Sequence, residues 1–156
     1  PLKGSYLPCY QNITRRVGVN RMNEYLGKLN YKNMVFDSIT IDLLGLKGDS
    51  KITTMEQIDF LTRFYHSKLP IFKRTEKIVK DMIFYDEKPS YNLSGKTGWS
   101  IRDGNNVGWY LGYIEKGKEL YFIASNVDPK ANFDMKKFAK IRLQVLMEAT
   151  KILGIT

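Results

Sequence analysis

The sequence predicts an α+β fold: helices, then a three-stranded antiparallel meander, then a C-terminal helix. Two observations carry that class. Apolar residues recur at helical spacing through the first half of the chain and again near its end. Between them, across residues 91–127, the pattern switches to a period of two, rich in aromatic and β-branched residues. No internal repeat and no low-complexity linker interrupts the order, and 156 residues is the length of about one domain.

Each element has its own signal. Ser5 before Leu7-Pro8-Cys9-Tyr10 reads as a helix start, a serine cap followed by proline in the first turn. That helix should run to about Arg16 and stop at Gly18. A second begins near Asn20, with Met22, Tyr25, Leu26 and Leu29 at helical spacing. Residues 34–52 read as irregular, with Gly45, Gly48 and Asp49 as turn formers. Thr53 or Thr54 caps a third helix, Glu56 or Gln57 completes the capping box, and Pro70 ends it. A fourth helix over residues 74–84 turns Ile78, Val79, Met82 and Ile83 inward. Strands follow over residues 91–99, 107–115 and 119–127, the last two joined by a tight turn at Lys116-Gly117-Lys118. Asp134 starts a final helix through about Leu153, with Phe138, Ile141, Val145, Leu146 and Ile152 facing the sheet and Gly154 closing it.

Composition narrows the chemistry. One cysteine, Cys9, leaves no intrachain disulfide and no cysteine-rich zinc site. One histidine, His66, sits in a helical pattern and reads as a surface or packing residue. No cofactor and no metal is expected. The net charge of +9 admits either an anionic partner or a solvated basic surface. The lysines are scattered along the chain, which favours the second reading, so no nucleic-acid partner is expected. There is no run of about 20 apolar residues to span a membrane, and no signal peptide is visible. The chain starts at Pro1, as expected of a processed product or a fragment.

The residues that carry chemistry are Lys96-Thr97-Gly98-Trp99 at the start of the alternating region, preceded by Gly95 and followed by Gly108-Trp109-Tyr110-Leu111-Gly112-Tyr113. On a strand without a bulge, Lys96 and Gly98 face one way and Thr97 the other. Gly98 permits close approach of a ligand. Lys96 offers a cation and Thr97 a hydroxyl donor to a carboxylate or a developing oxyanion.

In this pattern the chain resembles the class D (oxacillinase-type) serine β-lactamases, and more distantly the sensor domains of β-lactam receptors. Other stretches share the likeness: Ser5-Tyr6-Leu7, Arg15-Arg16-Val17-Gly18, Asn30-Tyr31-Lys32-Asn33-Met34, Lys51-Ile52-Thr53 with Gln57, Ile141-Arg142 and Leu153-Gly154-Ile155. The likeness covers the chain but only the later part of a full family member. It implies that Ser5 relays a proton to the leaving β-lactam nitrogen with help from Lys96, and that Thr97 and Arg142 hold the substrate carboxylate. It implies that Trp99 supplies one oxyanion-hole N–H while its indole flanks the substrate side chain. Ser5 as a plain helix cap, Arg142 as a solvated helix residue and Trp99 as a sheet aromatic remain the alternatives. Trp109 reads as a sheet aromatic, and Tyr31 and Asn33 as loop-structuring residues.

The chain departs from the family in three places. It contains no Ser-x-x-Lys, the segment that supplies the nucleophile. Gly45 stands where the family has a Trp that bonds the carbamylated lysine, and Lys32 replaces the middle Gly of Tyr-Gly-Asn. The resemblance therefore implies the C-terminal portion of a single β-lactamase or transpeptidase-like domain, residues 1–156. The intact parent would bind and hydrolyse β-lactam antibiotics through a serine acyl-enzyme in the periplasm or outside the cell. This chain alone would be inactive and partnered by the missing N-terminal segment or by a second copy. The alternatives are a β-lactam sensor that acylates without turnover and a non-catalytic remnant.

Overall fold

The structure is a computed structural model and describes residues 6–31, 33–43, 50–102 and 104–156. Its centre is an antiparallel sheet in the order β1 (Phe84–Glu87), β2 (Asn92–Arg102), β3 (Asn105–Lys116) and β4 (Glu119–Val127). The last three strands form the expected meander. β1 is an addition at its edge: the fourth helix stops at Ile83, Phe84 turns extended, and four residues pair with the start of β2. β2 and β3 are longer than their pattern suggested because they pair to the very tip of their hairpin, Arg102 opposite Asn105, with Gly104 at φ 78° in the turn. Likewise Lys116 pairs with Glu119 around Gly117 at φ 61°.

The two faces of the sheet are covered differently. On one, Leu93, Tyr110 and Ile114 pack with Leu146 of the C-terminal helix, α5 (Phe138–Ile152). On the other, Tyr65 of α3 (Thr54–Tyr65) sets its ring edge-on to Tyr113 and Phe122, with centroids 4.9 and 5.8 Å away. The Tyr65 hydroxyl donates to Glu115 at 2.6 Å, and that carboxylate pushes the phenol up to about 12.

Helix ends follow capping chemistry. Thr53 and Glu56 form the capping box of α3, so of the two pairs the sequence offered, the earlier one caps. The helix ends at Tyr65, before Pro70, because Ser67 turns into the left-handed region at φ 57°. Asp134 caps a short 3-10 turn, Met135–Lys137, and the α-helix proper begins only at Phe138. Its buried stripe is Phe138, Arg142, Leu146 and Thr150, one residue per turn. Ile141 lies half-buried at the margin, whereas Val145 and Ile152, expected against the sheet, point outward.

Three further helices complete the chain. In α4 (Lys73–Ile83) the buried residue is Glu76, and Ile78 and Met82 are exposed rather than inward. Glu76 accepts from Ser67 Oγ and Lys80 Nζ, both at 2.6 Å, and the same ammonium donates to the Tyr65 carbonyl at 2.8 Å. That polar staple fixes α4 against the end of α3. α1 (Leu7–Val17) and α2 (Val19–Lys28) meet at Gly18 and bury no residue. Tyr6 occupies the α1 cap without a side-chain bond, and Ser5 lies outside the described residues. Arg15 Nε donates to Asp42 at 2.8 Å, tying α1 to a 3-10 turn at Ile41–Leu43.

Candidate active site

β1 pairs with β2 no further than Ser94. From Gly95 onward, among the described residues, β2 pairs on one side only, so Lys96-Thr97-Gly98-Trp99 occupies an open strand edge. The β2–β3 register runs unbroken from Asn92 opposite Glu115 to Arg102 opposite Asn105. Strict alternation therefore applies. Lys96 and Gly98 share the α3 side with Ser94, and Thr97 and Trp99 share the α5 side with Leu93. Lys96 Nζ donates to the Thr97 carbonyl at 2.7 Å. Burial and, secondarily, the nearby Arg142 guanidinium pull the Lys96 ammonium below the usual lysine range.

Arg142 reaches this edge from α5 because β3 leaves room. Gly108, opposite Trp99, is where its stem crosses. A Cβ there would lie 2.7 Å from Arg142 Cγ, 2.8 Å from Cδ and 2.9 Å from Phe138 Cζ. The guanidinium donates through one terminal nitrogen to the Gly98 carbonyl and through the other to Ala139 at 3.3 Å. Its carbon lies 5.6 Å from the centre of the Trp99 ring. Arg142 is 8% exposed, and its Nε finds no acceptor among the described residues. Burial lowers its pKa, yet a guanidinium stays charged at any ordinary pH. The solvated-helix reading of Arg142 is thus excluded by its position.

Trp99 completes the cluster. Its ring and that of Phe138 meet edge to face with centroids 5.1 Å apart, and its Nε1–H donates to Asn106 Oδ1 at 2.8 Å. The structure so brings together Lys96, Thr97, Gly98, Trp99 and Arg142. Asn106 and the fully buried Phe138 are neighbours that sequence reasoning did not connect to the site. The Asp103-Gly104 dipeptide, read as a hairpin turn, would have placed Asn106 beside Trp99. Gly45 and Lys32 lie outside the described residues, as Ser5 does.

Tyr31 and Asn33 stand apart, around a cavity of about 450 Å³ that Lys51, Met55 and Arg63 also line. Tyr31 donates to Gln57 at 2.9 Å and Asn33 to Glu56 at 3.3 Å, which ties their loop to α3 as expected of loop-structuring residues. Trp109 lies half-buried on the α3 side of β3. His66 is exposed, edge-on to Tyr65 and Phe122.

The sequence profile of the penicillin binding protein transpeptidase domain matches residues 2–147. The chain belongs to that family. Within this transpeptidase family its relatives include class D β-lactamases. The β-lactamase OXA-48 of Klebsiella pneumoniae is 34% identical over 127 residues, 81% of this chain and 48% of the relative. The class D β-lactamase YbXI from Nostoc superposes with a TM-score of 0.90 at 34% identity, over 99% of this chain and 64% of that one. The regulatory protein BlaR1 of Bacillus licheniformis is 30% identical over 138 residues, 88% of this chain and 23% of that protein. The chain spans about half the length of the curated β-lactamases it matches.

Proposed function

We propose that this chain is the C-terminal portion of a class D β-lactamase-type domain and carries the half of its active site that holds the substrate carboxylate. The observation that supports this most is the meeting of two cations at an open strand edge. Arg142 is buried with carbonyls as its described partners, and Lys96 lies close enough to feel its charge. A buried guanidinium whose Nε has no acceptor among the described residues is costly unless an anion joins it. A β-lactam brings such an anion in its carboxylate. Arg142 would grip it, and the Thr97 hydroxyl, on the same side of β2, would donate to it. Gly98 leaves the approach clear.

Acyl transfer would use the remaining groups. The Thr97 carbonyl is turned to Lys96 Nζ, away from β3. Trp99, two residues on, shares that phase of the pleat, so its N–H faces the open edge and suits a developing oxyanion. Ser5 and Lys96 would pass a proton to the leaving nitrogen. The acylating serine belongs to a Ser-x-x-Lys that does not occur in these 156 residues. It would arrive on the N-terminal segment of the parent, and the location would be periplasmic or extracellular. No helix among the described residues is long and apolar enough to cross a membrane.

A second reading, a sensor that acylates and stays acylated, draws on Gly45 in place of the family's Trp and on the likeness to BlaR1. Intact-mass spectrometry after incubation with benzylpenicillin tests both. This chain should keep its mass, and a parent polypeptide bearing Ser-x-x-Lys should gain the mass of the drug. An adduct on this chain itself would sink the half-site reading. On the parent, an adduct that persists favours the sensor, and one that decays with release of hydrolysed drug favours the lactamase.

A further inference from the structure

We infer that Asn106 is a positioning residue for the Trp99 indole, holding the ring as a fixed wall beside the β-lactam side chain; this rests on the β-lactam reading above. Trp99 lies opposite Gly108, which has no side chain to hold the ring. The space behind it is taken by the Arg142 stem and Phe138. Three contacts are described for the indole: the guanidinium under its face, the Phe138 ring, and the Asn106 amide oxygen.

The first two are not selective for in-plane orientation, because a ring can turn over a cation and against an aromatic ring with little change in either contact. The hydrogen bond is directional and fixes that last freedom. Asn106 lies two residues from Gly108 on the same face of β3, diagonal to Trp99, a spacing within reach of an aromatic side chain. It sits on a paired strand rather than in a loop, so the acceptor is itself held still. Trp99 remains 39% exposed, and its open side is the wall that a ligand along Lys96–Gly98 would meet. A wall fixed in this way discriminates by size; a wall free to turn does not.

The chain has two tryptophans, so Trp109→Phe leaves Trp99 as the sole reporter. In that background Asn106→Leu keeps the size and removes the acceptor, whereas Asn106→Asp keeps an acceptor oxygen. The expected result is an acrylamide quenching constant raised about twofold or more in Asn106→Leu, with Asn106→Asp near the unmutated value and far-UV circular dichroism unchanged in both. Exchange of the Trp99 indole N–H, followed by NMR without the Trp109 change, should rise by about two- to tenfold in Asn106→Leu alone. The preference for benzylpenicillin over a penicillin with a bulky 2,6-disubstituted aryl side chain should shrink in the same variant. Equal quenching and exchange in Asn106→Leu and the unmutated chain would overturn the proposal, as would equal disturbance by Asn106→Asp. If the quenching order holds but the unmutated chain binds neither penicillin, the β-lactam reading and the selectivity claim fall, and the positioning of Trp99 stands.

Discussion

In the half of the molecule built from β2, β3, β4 and α5, Leu93, Tyr110, Ile114, Phe138 and Leu146 are withdrawn from water. In the half built from α1 and α2 no residue is buried, and Tyr6, Leu7, Ile13 and Tyr25 face outward. Both halves have apolar residues at helical spacing, so the difference lies in cover rather than in sequence pattern. α5 is seated on a sheet that the chain itself provides. α1 is held to its surroundings by contacts such as the Arg15–Asp42 ion pair, which water screens and which therefore contributes little. The residues proposed to bind the carboxylate stand on the half that buries its own core, Thr97 and Trp99 on β2 and Arg142 on α5.

That comparison breaks most sharply at Gly112. A Cβ there would lie 2.0 Å from the Ser94 carbonyl oxygen and 2.8 Å from Gly95 Cα, both backbone atoms that cannot step aside. Gly112→Ala should cost about 4 kcal/mol, seen as collapse of the urea midpoint, because β2 and β3 must part. Leu146→Ala should cost about 3 kcal/mol by opening a cavity between α5 and the sheet. Ile13→Ala, on the outward face of α1, should change stability by less than about 0.5 kcal/mol. Similar losses at positions 13 and 146 would mean that α1 is packed as firmly as α5.

The smallest effect concerns pH. The Lys80 ammonium and then the Ser67 hydroxyl hold the Glu76 carboxyl below its ordinary value of 4.5. A depressed folded-state value means that this contribution is present above the unfolded pKa and disappears as pH falls through the folded one. The difference in urea midpoint between the unmutated chain and Glu76→Gln should therefore be constant near neutrality and shrink as pH falls through and below 4.5. A difference that does not change with pH would show that the staple acts by shape rather than by charge.

Period and turn chemistry made the sheet legible in the sequence. The alternation across residues 91–127 and the Gly117 turn gave the meander, and Thr53 with Glu56 gave the start of α3. β1 was not legible, because Phe84-Tyr85-Asp86-Glu87 has no alternation of its own and is a strand only by pairing with residues 92–94. The pairing of Glu76 with Lys80, four residues on along α4, is legible, but its burial was not, since Ser67 reaches it only once the segment between α3 and α4 turns back. The motif Lys96-Thr97-Gly98 and Arg142 were singled out through resemblance; what brings them together is Gly108, whose missing side chain admits the arginine stem. Asn106 escaped notice because its importance depends on the β2–β3 register, which periodicity does not set.

The most direct test of the carboxylate-binding half-site is an amide NMR titration of this chain with benzylpenicillin. The account predicts shift changes centred on Lys96, Thr97, Gly98 and Trp99 and on the first turns of α5, abolished by Arg142→Ala while the remaining spectrum stays that of a folded sheet. Changes centred instead on the cavity beside Tyr31 and Arg63, or undiminished by Arg142→Ala, would contradict it.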